Sequence, residues 1–209
     1  MPRRATADPK LVDLGAPQRE RADAARNRER VLEAAGELFR ARAGRNVTMG
    51  DIAAAAGVGR ATLYRRYSDV ASIATALLDE HERALQERLI RGGPPLGPGA
   101  EAHERLAAFY AAMVALLDHH IHLVLGAEVG HARFATGAYG AWRLHVRSLV
   151  LGAGAGDPDA LTDILLAPLA PEVYHHQRFE LGLSAQRIGA ALDQLAHGVL
   201  GPDPMGNRP

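Results

Sequence analysis

The sequence predicts an all-α fold: an N-terminal three-helix helix-turn-helix unit followed by a helical C-terminal domain. Three observations lead there. Apolar residues recur at helical spacing in one segment after another, Gly and Pro clusters separate those segments, and no segment alternates with the two-residue period of a strand. Residues 1–22 lack periodic apolar positions and read as a flexible basic arm; residues 23–70 form the first domain, 71–200 the second, and 201–209 a disordered tail. In the first helix Val31, Leu32, Ala35, Leu38 and Phe39 make one apolar stripe, with Gly44 placed to end it in a left-handed conformation. Thr48 then caps a short second helix, Asp51 stands three residues on in a box-like position, and Gly57 makes the following turn. Ala53, Ala55 and Ala56 are small enough for a neighbouring helix to approach closely, and Gly57, Val58 and Gly59 are a turn that suits two steeply crossing helices.

A cap at Ser68 opens a long amphipathic helix over about 69–90, carrying Ile73, Leu77, Leu78, Leu85 and Leu89, and RGGPPLGPG at 91–99 breaks it. Further helices are expected at 101–118, near 121–130, and at 134–151. Asp157 and Pro158 then supply an N-cap and a first-turn proline for a helix near 158–178, in which Pro168 and Pro171 should force a kink or an end. Ser184 caps the last helix, which runs to about 200.

Composition narrows the function classes. The chain has no Cys, which excludes disulfides, thiolate metal sites and Cys nucleophiles and fits a reducing compartment; the cytoplasm is the expected location. The polar N-terminus holds no apolar run of signal-peptide length, so neither secretion nor a membrane partner is expected. Net charge is zero but unevenly spread: residues 1–67 hold 14 Lys or Arg against 8 Asp or Glu, whereas residues 68–209 hold 10 against 16. The N-terminal end is built to meet a polyanion.

That charge concentrates in GVGRATLYRRYSD, residues 57–69, where no acid interrupts Gly57 to Ser68. A DNA reader needs a helix whose exposed face offers cations and hydrogen-bond donors to the major groove. Leu63 would point inward with Ala56 and Val58, leaving Arg60, Ala61, Tyr64 and Arg65 outward, while Gly59 and Ala61 let the backbone approach the sugar-phosphate chain.

The stretch TMGDIAAAAGVGRATLYRRYSD, with RVLEAAGELF before it, resembles the DNA-binding signature of the TetR (tetracycline-repressor-like) regulators. The match runs through Thr48, Ile52, Ala53, Ala56, Gly57, Val58, Thr62, Leu63, Tyr64 and Tyr67 and is specific over residues 27–73. The resemblance implies a homodimer bound to a double-stranded DNA operator, with a C-terminal domain for dimerisation and for a small-molecule effector. It places DNA contacts at Thr48, Gly59, Arg60, Ala61, Thr62, Tyr64, Arg65, Arg66 and Tyr67. Two positions depart from the family pattern: Tyr67 stands where Phe is frequent, and Val70 where a Lys is common.

In the C-terminal half, Leu161, Leu165, Leu169, Leu192, Leu195 and Val199 form apolar seams suited to a four-helix interface between subunits. Two heads on a two-fold axis would then read major grooves about 34–36 Å apart. Phe109, Met113, Trp142 and His145 would suit an effector pocket, apolar with one polar anchor. The ten histidines, with DHHIH at 118–122 and His175 beside His176, raise the alternative of a His-rich metal-binding protein or enzyme with an incidental basic head. His119 and His122 could share an ion, but HExxH is absent, so no metal and no cofactor is expected.

Overall fold

A computed structural model describes residues 16–42, 46–127, 134 and 137–202, with the side chains of 16–22, 122 and 125–127 outside the description. The described residues form nine α-helices: α1 Ala16–Ala41, α2 Met49–Ala56, α3 Arg60–Arg66, α4 Val70–Arg91, α5 Ala102–Ala127, α6 Gly137–Ala153, α7 Pro158–Leu166, α8 Pro171–His175 and α9 Ala185–Leu200. None of them is long and apolar enough to cross a membrane.

The helices start where capping chemistry places them. Thr48 and Asp51 close a capping box on α2, Asp157 caps α7 ahead of Pro158, and Ser184 caps α9. Three boundaries differ from expectation, and a fourth segment breaks as expected. α1 begins at Ala16 rather than after residue 22, because Ala, Gln, Glu and Arg propagate a helix without an apolar stripe. The cap of α4 is Asp69, not Ser68: its carboxylate accepts from the Ser72 amide at 2.7 Å, and the Ser72 hydroxyl returns to the Asp69 amide, which completes a box. The helices expected at 101–118 and near 121–130 are one continuous α5, since DHHIH contains neither Gly nor Pro to stop it. The segment near 158–178 is broken as its prolines require, into α7, a 3₁₀ turn at Ala167–Leu169, α8, and a π-helical turn at His176–Glu180. Gly44, the expected stop for α1, lies outside the described residues, as do residues 1–15 of the arm and 203–209 of the tail.

Two hydrophobic cores result. One gathers Val31, Leu32, Phe39, Ile52, Leu63 and Ile73 from α1 to the start of α4. The other gathers Leu85, Leu106, Phe109, Tyr110, Trp142, Tyr174 and Leu192 from the rest of the chain, with α9 packed along α5. α4 belongs to both: Leu77 is buried in the first core and its neighbour Leu78 in the second. A movement of α4 is therefore felt on both sides.

The turn between α2 and α3 rests on Gly57, whose φ of 61° is the left-handed conformation that ends α2. A side chain there would meet the Arg30 guanidinium, whose Nη2 stands 2.7 Å from the position a Cβ would take. Gly57→Ala is expected to cost about 1–2 kcal/mol of stability from the backbone conformation alone, read as a lower midpoint in urea unfolding.

Candidate nucleic-acid interface

α3 is held by its inner face. Leu63 is 2 % exposed and Tyr67, just past the helix end, 6 % exposed, both within the first core. The opposite face is solvent-exposed along its whole length: Gly59, Arg60, Ala61, Thr62, Tyr64, Arg65 and Arg66. Tyr64 is 55 % exposed, so its ring is presented outward and lies outside the core. The side chains of Arg60 and Arg65 have no hydrogen-bond or ion-pair partner among the described residues, which leaves their donors available.

Arg66 is placed differently. Its Nη1 donates to the Ala24 carbonyl of α1 at 3.2 Å, so the residue ties the end of α3 back to the first helix as well as facing solvent. Tyr67, expected among the DNA contacts, is instead a core residue, because the aromatic position three beyond Tyr64 falls on the Leu63 side of the chain. Its hydroxyl is buried without a hydrogen-bond partner among the described residues. An orphaned buried hydroxyl costs about 1–3 kcal/mol. Tyr67→Phe is therefore expected to leave DNA binding unchanged and to raise stability by about 1 kcal/mol, checked by thermal unfolding beside a binding titration.

Thr48 lies at the start of α2, exposed, with its hydroxyl and amide both engaged by Asp51: the amide donates to Oδ2 at 3.0 Å and the hydroxyl accepts from the Asp51 amide at 3.1 Å. Arg42 adds a 2.9 Å ion pair to the same carboxylate. These bonds, first those from the Thr48 amide and hydroxyl and then that from Arg42, hold the Asp51 carboxyl below its ordinary range.

Sequence reading missed the braces of this head. Arg30 donates from Nη2 to the carbonyls of Ala56 and Gly57, satisfying the end of α2 from a helix 26 residues earlier. Arg28 pairs with Glu80, tying α1 to α4. Nothing local distinguishes these arginines from solvated ones.

In the second core Phe109 touches both other aromatic candidates, with ring centres 5.8 Å from Trp142 and 5.3 Å from His145. Phe109, Met113 and Trp142 are buried; His145 is half-buried, with Nε2 sealed from solvent and unpartnered among the described residues. Burial first, then the nearby Arg105 guanidinium, press the His145 imidazole down to about 4. These four side chains do not enclose one cavity. Met113 and Trp142 line a space of about 50 Å³ with Leu117, Leu166 and Leu169, while Phe109 and His145 lie outside it. That volume is well below the roughly 300–1,000 Å³ of a ligand pocket. A larger open cleft of about 860 Å³, which the sequence did not disclose, runs between α1, α4 and α5.

Of the six residues expected at a subunit seam, Leu165, Leu169 and Leu192 are buried within the chain itself: α7 packs on α6, α9 packs on α5, and Leu169 lies in the 3₁₀ turn after α7. Leu161, Leu195 and Val199 are half-buried. Among the described residues no three His, Asp or Glu side chains converge as metal ligands. His119 bonds through Nδ1 to the Ala115 carbonyl of its own helix, and the side chain of His122 lies outside the described residues.

An exposed, acid-free helix seated on a second helix across a glycine turn defines a helix-turn-helix DNA-binding protein. Residues 31–77 match the model of the bacterial regulatory proteins of the tetR family. Over those residues, from α1 into α4, the chain carries the DNA-binding region that this family's model describes.

Solved structures share the fold along most of the chain. A TetR-family transcriptional regulator from Streptomyces coelicolor is 18 % identical, covers 91 % of this chain and 96 % of its own, and superposes with a TM-score of 0.61. The fatty acid degradation regulator FadR from Bacillus halodurans is 14 % identical over 81 % of this chain and 94 % of its own, also with a TM-score of 0.61. A TetR/AcrR-family regulator from Thermobifida fusca is 16 % identical over 81 % and 95 %, with the same TM-score of 0.61. No curated protein sequence matches the chain.

Proposed function

We propose that this regulator is a cytoplasmic homodimeric repressor that binds a palindromic operator and leaves it when a small-molecule effector binds the C-terminal domain. One observation carries the reading: α3 buries Leu63 and offers Arg60, Tyr64 and Arg65 outward, with no acid between Gly57 and Ser68. Arg60 and Arg65 contact bases or phosphates, Gly59, Ala61 and Thr62 allow close backbone approach, and Thr48 presents the start of α2 to a phosphate. Arg66 supports the end of α3. The head extends from α1 to about residue 70, and the effector and dimerisation domain from 71 to 200.

Release works by population shift. An effector that favours a head spacing unsuited to two successive grooves lowers operator affinity by its differential affinity for that state. α4 is the transmitting element, since Leu77 and Leu78 fasten it to the two cores. Leu161, Leu195 and Val199 pack at the margin of the second core and stay half-buried on α7 and α9, where a partner subunit would cover the rest of each side chain. The effector enters near Met113 and Trp142, where opening of the small apolar cavity supplies its volume.

The test is a binding titration with Arg60→Ala and Arg65→Ala on duplex DNA across a range of salt. Loss of a bidentate base contact is expected to cost about 1–3 kcal/mol and to relax preference at one base pair. Loss of a phosphate contact weakens all sequences alike and lowers the salt slope by about 0.9. Unchanged binding in both variants overturns the reading.

A further inference from the structure

The open cleft between α1, α4 and α5 holds a feature that DNA recognition does not use. On its wall, His81 of α4 and His120 of α5 meet nitrogen to nitrogen, Nδ1 to Nε2 at 2.7 Å, with ring centres 4.5 Å apart. These residues are 39 positions apart in sequence, and neither belongs to the His119 and His122 spacing that the sequence suggests. His120 is 7 % exposed and His81 is half-buried, with the cleft giving solvent a path to the pair.

Two imidazoles bound cis to one ion, with metal–nitrogen bonds of about 2.0–2.1 Å, place their nitrogens about 2.9 Å apart and their ring centres about 4.5 Å apart. A tetrahedral ion spreads the same atoms to about 3.3 Å and the rings to about 5.2 Å. The observed pair lies close to the right-angled arrangement and well short of the tetrahedral one. We propose that His81 and His120 form a two-imidazole site for a divalent transition-metal ion of tetragonal preference, the Cu²⁺ and Ni²⁺ class, with water from the cleft completing the coordination.

Imidazole ligates a metal in its neutral form. Burial lowers the affinity of each for a proton, and His119 and the Arg40 guanidinium of α1 act in the same direction, while the Glu80 carboxylate of α4 offsets part of the positive field at His81. Where the ion takes the place of the bridging N–H, that proton moves to the distal nitrogen of the same ring, so that both rings ligate as neutral imidazoles, and nitrogen separation grows by only a few tenths of an ångström. Such a bond joins α4, which leads out of the recognition head, to α5 of the second core. With two protein ligands the site is selective by geometry and modest in affinity.

Two measurements on the full-length protein decide the matter. Titration with Ni²⁺ followed by calorimetry is expected to show one ion per chain, with affinity at least tenfold weaker in His81→Gln and in His120→Gln and unchanged in His119→Gln. Electron paramagnetic resonance of the wild-type protein with one equivalent of Cu²⁺ is expected to show coupling to two imidazole nitrogens, a readout that does not depend on any variant folding. Zn²⁺ should bind more weakly than either ion, because its tetrahedral geometry requires a wider opening. Equal Ni²⁺ affinity in the wild type and both bridge variants, or a Cu²⁺ spectrum without the two-nitrogen pattern, overturns the proposal and leaves the pair as a hydrogen bond alone. Neither result bears on duplex DNA binding, which is measured separately.

Discussion

Leu63→Ala is expected to lower the unfolding free energy by about 2–5 kcal/mol and to abolish DNA binding, the largest loss from any single change on α3. The residue is 2 % exposed and joins a core drawn from only four helices, with Ile52, Ala53 and Ala56 of α2 among its members. α3 is seven residues long, too short to persist without tertiary support. Removing three carbons from its main anchor therefore leaves both a cavity and an undocked recognition helix. Tyr64→Ala, one position on, deletes more atoms from a side chain that is 55 % exposed and should change stability by no more than about 0.5 kcal/mol. Urea unfolding of the two variants followed by circular dichroism checks the contrast. Similar destabilisation in both would mean that α3 is not seated through its Leu63 face.

The second large effect is acid destabilisation well above the range in which ordinary carboxylates titrate. His145 falls from its usual 6.5 to about 4 on folding, chiefly through burial and secondarily through Arg105. Its neutral form is favoured in the native state, so the unfolded chain takes up the proton first as pH falls. The stabilising difference is fully present above pH 6.5 and is lost progressively as pH drops toward about 4. The shift corresponds to at most about 3–4 kcal/mol for this one group. His120 is displaced in the same direction, by burial and by His81, and adds to the loss. Unfolding free energy measured between pH 7.5 and 4 should fall steeply through this window, with a shallower fall in His145→Gln. An identical pH profile in that variant would contradict the burial of a neutral imidazole beside Phe109.

Much of the head was legible because its signals are local. Thr48 and Asp51, three residues apart, make the box they promised, and Gly57 takes the left-handed turn its position demands. Leu63 and the exposed face of α3 follow from helical period alone. What local pattern could not show was anything decided across the fold. Tyr67 reads as a cation's neighbour in sequence and is a core ring in space. Arg30, Arg28 and Arg66 look like surface charge, yet each binds a group at least 26 residues away. The C-terminal half was legible as helices and less so as a site: Leu165, Leu169 and Leu192 carry the same apolar signature whether they face a subunit or their own core, and only the packing of the helices around them decides. The pairing of His81 with His120 depends on the crossing of α4 and α5, which no spacing encodes. DHHIH contains His120 but gives no sign of its neighbour on α4.

The measurement that bears most directly on the central claim is selection of bound sequences from random duplex DNA by the full-length protein. The account predicts an enriched inverted repeat, with half-site centres about one helical turn or a multiple of it apart, and a relaxed base preference within each half-site for Arg60→Ala or Arg65→Ala. Failure to retain any duplex at low ionic strength, or enrichment of a single unrepeated site by a strictly monomeric protein, would contradict it.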